Sequence, residues 1–105
     1  EYDFGDWDGE TAASVHARDP ESLGRFWSDP WQNTPPQGEP LPEFFARLES
    51  LIDDLQQRHQ QSVLLICHGG VIRALHTLLN DLPVAEMFNY PVEHGSLHRL
   101  RDARQ

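Results

Sequence analysis

The chain has no lysine, so all eight of its basic residues are arginines, set against 17 acidic residues for a formal charge of −9. That balance opposes a nucleic-acid or membrane-surface partner, which would want clustered Lys and Arg. Cysteine is nearly absent too. A single Cys67 excludes an internal disulfide and leaves no Cys-x-x-Cys or zinc-finger spacing. At the end of an apolar run it reads as a small buried hydrophobe. No apolar stretch approaches membrane-spanning length and no secretory signal is visible, so the expected setting is the cytoplasm. There are no repeats and no low-complexity tracts. With 105 residues the chain can bury one modest core, and no internal domain boundary is expected across residues 1–105.

What is present concentrates in residues 64–73, Leu-Leu-Ile-Cys-His-Gly-Gly-Val-Ile-Arg. An apolar run rich in branched side chains stops at His68, two glycines follow, and Val71-Ile72-Arg73-Ala74-Leu75 resumes at helical spacing. The pattern predicts a buried strand over Ser62–Cys67, a tight turn, and a helix ending near Asn80, a good left-handed cap. In open α/β sheets the carboxyl end of such a strand is where ligands bind, and the N–H groups opening the next helix suit an anion. Gly69 and Gly70 have no side chain to keep a phosphate from those donors. A lone His68 would read as a core histidine satisfied by a carbonyl; its place at the strand end turns the reading toward phosphate chemistry.

Elsewhere, Phe44, Phe45, Leu48, Leu51, Ile52 and Leu55 form a one-sided apolar stripe, predicting a helix from Pro42 to about Arg58. Pro42 suits a first-turn position, with Glu43 favourably near the positive end of the dipole. Shorter helices are expected over Glu10–Ala17, Glu21–Trp27 and Val84–Phe88. Residues 28–42 hold five prolines and read as a stiff, extended connection, with Trp27 and Trp31 packed over a pocket as a lid. Ser96–Arg101 alternates well enough for a final edge strand. Helix, strand, helix, strand is an α/β pattern.

The opening Glu1-Tyr2-Asp3-Phe4-Gly5-Asp6-Trp7-Asp8-Gly9, the Gly38-Glu39 step before the long helix, and His68-Gly69-Gly70-Val71-Ile72-Arg73 occur in an order and spacing that resemble the histidine phosphatase superfamily, the phosphoglycerate mutase-like group. Within that group, Phe26-Trp27-Ser28-Asp29-Pro30 and Pro35-Pro36-Gln37-Gly38-Glu39 look most like the α-ribazole phosphatases of cobalamin nucleotide-loop assembly. The resemblance runs to about Leu100. It implies a three-layer α/β/α fold, here without the N-terminal central strand, and a phosphomonoesterase that needs neither metal nor organic cofactor.

The same resemblance assigns roles. The family's nucleophile is a histidine in an Arg-His-Gly-Glu segment, which becomes phosphohistidine; here the only His-Gly pairs follow Cys67 and Glu93. The chain is therefore expected to be the carboxyl-terminal part of such an enzyme, inactive by itself. His68 matches the family's second histidine, which donates to the transferring phosphoryl group, and Gly69 and Gly70 would add backbone donors. Glu1 aligns with the general acid that protonates the leaving alkoxide and then activates water, a task that requires a raised pKa near neutrality. Arg73 is expected to brace the site without touching substrate, and Glu39 and Arg47 to be structural. The expected ligand is a small phosphorylated substrate, with a missing N-terminal segment or a second copy completing the sheet.

Other readings were open to the residues alone. Asp3, Asp6 and Asp8 miss the EF-hand spacing, lacking its glycine and its terminal glutamate. His68 with His76 is too widely spaced for one helical turn, and the Gly-Ser between His94 and His98 favours a turn or strand over a metal site. His94 reads as an exposed loop histidine. A domain that keeps the ligand cleft but binds phosphorylated partners without turnover, and a related phosphatase of different substrate, both stay possible.

Overall fold

A computed structural model describes residues 1–58 and 62–101. Its regular elements are helical: α1 (Ala12–Arg18), α2 (Pro20–Ser28), α3 (Leu41–Gln57) and α4 (Gly69–Leu79), with 3-10 turns at Gly5–Trp7 and Val84–Asn89. No strand occurs among the described residues. That overturns the expected three-layer α/β/α sandwich. Neither Ser62–Cys67 nor Ser96–Arg101 forms a strand, because a strand exists through the ladder made with a neighbour, and nothing described here pairs with either segment. An apolar, branched sequence supplies the propensity for a strand but not the partner. Leu64 and Ile66 instead stand 74% and 94% exposed.

The chain divides into two compact units, Tyr2–Phe44 and Glu1 together with Phe45–Gln105. In the first, α1 packs against α2. Thr11 caps α1 by accepting from the Ser14 N–H at 3.1 Å. Asp19 then ends α1 and starts α2, accepting from the Ser22 N–H at 3.2 Å, with Pro20 at the first helical position. Hydrogen bonds from the Ser22 hydroxyl and N–H hold the Asp19 carboxyl below its ordinary range. On the surface, Arg18 makes a two-pronged ion pair with Glu10, at 2.8 and 2.6 Å.

The core of this unit is aromatic. Phe26 and Phe44 are almost fully buried, and the Tyr2 ring lies 4.8 Å from Phe4 and 5.3 Å from Phe44. Full burial of one such ring contributes on the order of 1.5–3 kcal/mol before its ordering entropy is counted. The proline-rich stretch does not run free. The Asp6 N–H donates to Pro36 O at 2.9 Å, the Glu39 N–H to Asp3 O at 2.9 Å, and the Asp3 N–H to a Glu39 carboxylate oxygen at 3.0 Å. Gly5, at φ +60°, comes so close to the 36–38 backbone that a Cβ there would overlap it. Trp27 and Trp31 are 49% and 37% exposed, contrary to the packed lid expected from the sequence.

In the second unit, Phe45, Leu48 and Ile52 of α3 and Val71, Ala74 and Leu75 of α4 are buried, as is Met87 of the turn that packs on α4. α4 closes through three bonds: the Asn80 N–H to His76 O, the Asp81 N–H to Leu78 O, and the Leu82 N–H to Thr77 O. This is a Schellman end, and its left-handed residue is Asp81 at φ +52°, not Asn80 at φ −102°. Among the described residues no helix is long and apolar enough to cross a membrane.

Candidate functional site

His68 keeps an extended backbone, φ −92° and ψ 167°, and α4 begins at the very next residue. Its carbonyl takes the Ile72 N–H at 3.2 Å, so the imidazole stands on the last residue before the helix while the first-turn N–H groups open beside it. The ring is exposed. Gly69 and Gly70 form the first turn, half-buried.

Glu1 meets that turn from the other end of the sequence. Its carboxylate accepts the Gly70 N–H at 3.3 Å, where the helix dipole favours an anion. Its backbone carbonyl accepts from an Arg47 Nη at 3.3 Å. Both contacts lie within the second unit, so a residue at the start of the chain, the long helix and the glycine turn converge there. The space exists because position 70 is glycine: a Cβ would run into the Glu1 carboxylate.

Arg73 lies one turn further along α4. Its Nε donates to Tyr90 O at 3.0 Å, and its Nη1 lies 3.2 Å from where a Cβ on Gly69 would be. The guanidinium is thus held against the start of the helix. Cys67 precedes His68 and is exposed, not buried as its apolar neighbours implied. Partial desolvation of the thiol, followed by the nearby Glu1 charge, pushes it above its ordinary value, which disfavours a reactive thiolate.

Among the described residues, none of the other histidines joins His68 at the helix start. His76 contacts Asn80, His98 lies between Tyr90 and Ser96, and His94 is exposed. Among the described residues no group of three or more His, Cys, Asp or Glu could hold a metal ion. Asp3 and Asp8 accept the N–H groups of Gly5 and Phe4, which is local turn chemistry.

One contributor was read only in part from the sequence and another was missed. Arg47 was legible as part of the Gly-Glu helix pattern, but its grip on the Glu1 carbonyl spans 46 positions. Tyr90 sits between Asn89 and Pro91, outside any periodic run, and carried no signal.

What the arrangement offers is an exposed imidazole, a helix start whose Gly70 N–H already holds the Glu1 carboxylate, and one guanidinium, a set suited to a phosphoryl group and an acid–base partner. A model of the histidine phosphatase superfamily (branch 1) matches residues 1–105. The chain belongs to that superfamily. An adenosylcobalamin/α-ribazole phosphatase of Escherichia coli is 31% identical over 94 residues, covering 88% of this chain and 46% of that protein. A Hydrogenobacter thermophilus protein whose provisional name is phosphoserine phosphatase 2 is 25% identical over 100 residues, 95% of this chain and 49% of its own length. The solved α-ribazole phosphatase of Shigella flexneri matches with a TM-score of 0.68 and 31% identity, over 90% of this chain and 48% of that one. The chain thus spans about half the length of the curated relatives it matches.

Proposed function

We propose that this chain carries the acid and phosphate-binding half of a phosphomonoesterase acting on α-ribazole 5′-phosphate. The observation that carries the reading is the hydrogen bond from Gly70 to Glu1, which joins two motifs 69 positions apart around one helix start. In this scheme His68 donates to the phosphoryl oxygens, and the Gly69 N–H, joined by that of Gly70 once the Glu1 carboxylate leaves it, shares the charge that builds on them. Glu1 protonates the leaving alkoxide and then takes a proton from the attacking water. Arg73 braces the turn. The phosphohistidine nucleophile has no counterpart in these 105 residues, so they do not turn over alone. The similarity to proteins named α-ribazole phosphatase supports the substrate, and the relative named for phosphoserine keeps a different small phosphomonoester as the second reading.

The test is hydrolysis by a polypeptide that joins this chain to an Arg-His-Gly nucleophile segment. α-Ribazole 5′-phosphate should be preferred over phosphoserine, and His68→Ala should lower kcat by about 10²- to 10³-fold, as loss of one transition-state donor does. Preference for phosphoserine would move the assignment to the second reading. Activity indifferent to His68→Ala would remove the mechanism.

A further inference from the structure

Tyr90 sits at the junction of three contacts. Its backbone carbonyl accepts from Arg73 Nε at 3.0 Å, and its ring lies 3.8 Å, centroid to centroid, from the His76 imidazole. Its hydroxyl is 2.9 Å from His98 Nδ1, and His98 Nε2 is in turn 2.7 Å from Ser96 Oγ. The residue is half-buried and lies just beyond the turn that packs on α4.

The Ser96–His98 pair has the look of a nucleophile and its base, and the protons decide against that. Ser96 Oγ also lies 2.5 Å from Glu93 O, which can only accept, so the serine hydrogen goes there. His98 Nε2 must then carry the hydrogen it gives to Ser96, which in a neutral ring leaves Nδ1 to accept from the Tyr90 hydroxyl. A base poised to activate Ser96 would need the opposite tautomer. The network is a clamp on Tyr90.

We infer that Tyr90 is a positioning residue. Its side chain, held between His76 and His98, fixes its carbonyl where that carbonyl orients Arg73, and Arg73 thereby keeps a guanidinium against the Gly69–Gly70 helix start. Without lysine anywhere in the chain, a fixed cation at this turn has to be an arginine. A guanidinium has many rotamers, and the bond from Nε to a carbonyl restricts the torsions that would swing it away. The consequence for substrate rests on the phosphomonoesterase reading; the geometry does not.

The experiment follows solvent exchange of the Arg73 Nε–H by NMR in the 105-residue chain. Tyr90→Leu and His98→Ala should each speed that exchange by about tenfold, the value of one ordinary hydrogen bond. Tyr90→Phe, which keeps the ring on His76, should produce a smaller change. Helical circular dichroism identifies any variant that has unfolded, and the partly exposed His98 gives a substitution that spares the core. Unchanged Arg73 exchange in folded variants would overturn the inference. In a polypeptide with the nucleophile segment, His98→Ala should raise KM for p-nitrophenyl phosphate more than it lowers kcat. Faster exchange with KM unmoved would overturn the link to substrate. A wild-type polypeptide without phosphatase activity would sink the functional reading alone, and the exchange rates would still decide the positioning role.

Discussion

A methyl group at position 70 would land on the Glu1 carboxylate, although the helical backbone there would accept alanine. The two effects separate cleanly. The obstructed atoms are the far end of a flexible, exposed side chain, so Glu1 can swing away at little cost to the fold. Gly70→Ala should therefore change unfolding free energy by less than about 1 kcal/mol. In a polypeptide with a nucleophile segment it should cut phosphatase turnover by about 100-fold, the scale of a displaced general acid. Urea unfolding and steady-state kinetics on the same variant check this; activity that survives would show that Glu1 acts from another position. Tyr2 offers a test of a different kind. It is 4% exposed, and burial, followed by the charges of Glu39 and Asp3, pushes its phenol above the ordinary value of 10.0. The folded chain holds that proton more tightly than the unfolded chain does. Stability from this source is complete below pH 10.0 and falls as pH rises beyond it. The urea midpoint should thus drop more steeply above that pH in the wild type than in Tyr2→Phe, and identical alkaline profiles would contradict the assignment.

At the scale of elements, helices were legible where a local pattern specifies them. The stripe from Phe44 to Leu55 predicted Pro42–Arg58, and α3 runs Leu41–Gln57. Asp19 is a boundary twice over: its backbone N–H closes α1 on Val15 O, and its carboxylate caps α2. The end of α4 was placed correctly at Asn80, but the left-handed turn fell one residue later, since the Schellman bonds and not residue preference choose the position. Strands were not legible in the same way. Their hydrogen bonds are made with a partner elsewhere, so the branched run at 62–67 could signal tendency only. The candidate site shows the same division. The order of Glu1, Gly38-Glu39 and His68-Gly69-Gly70 could be read in sequence. The contacts of Arg47 with Glu1 and of Tyr90 with Arg73 arise from three-dimensional convergence that no local pattern encodes.

At the scale of the molecule, the segment before His68 exposes a run of four apolar side chains, Val63 to Ile66. Leu64 at 74% and Ile66 at 94% leave large hydrophobic areas in water beside the half-exposed Val63 and Leu65. Contiguous apolar surface of this kind favours association. Ile66→Ser should leave the unfolding free energy within about 0.5 kcal/mol, as surface substitutions do. It should also reduce concentration-dependent self-association in sedimentation velocity. A monomeric wild type at high concentration would refute the second expectation. Glu1, meanwhile, belongs to the same compact unit as the glycine turn, although the 43 residues of Tyr2–Phe44 come between them in sequence and form a unit of their own. Those residues pack around aromatic rings of their own. Within that unit Gly9, at φ +78°, holds a backbone conformation that favours glycine even though a side chain would meet nothing within 4 Å. The bond from Gly70 to Glu1 therefore closes a long loop of sequence whose contents carry a core of their own, so a substitution inside Tyr2–Phe44 should be felt first in that unit's stability.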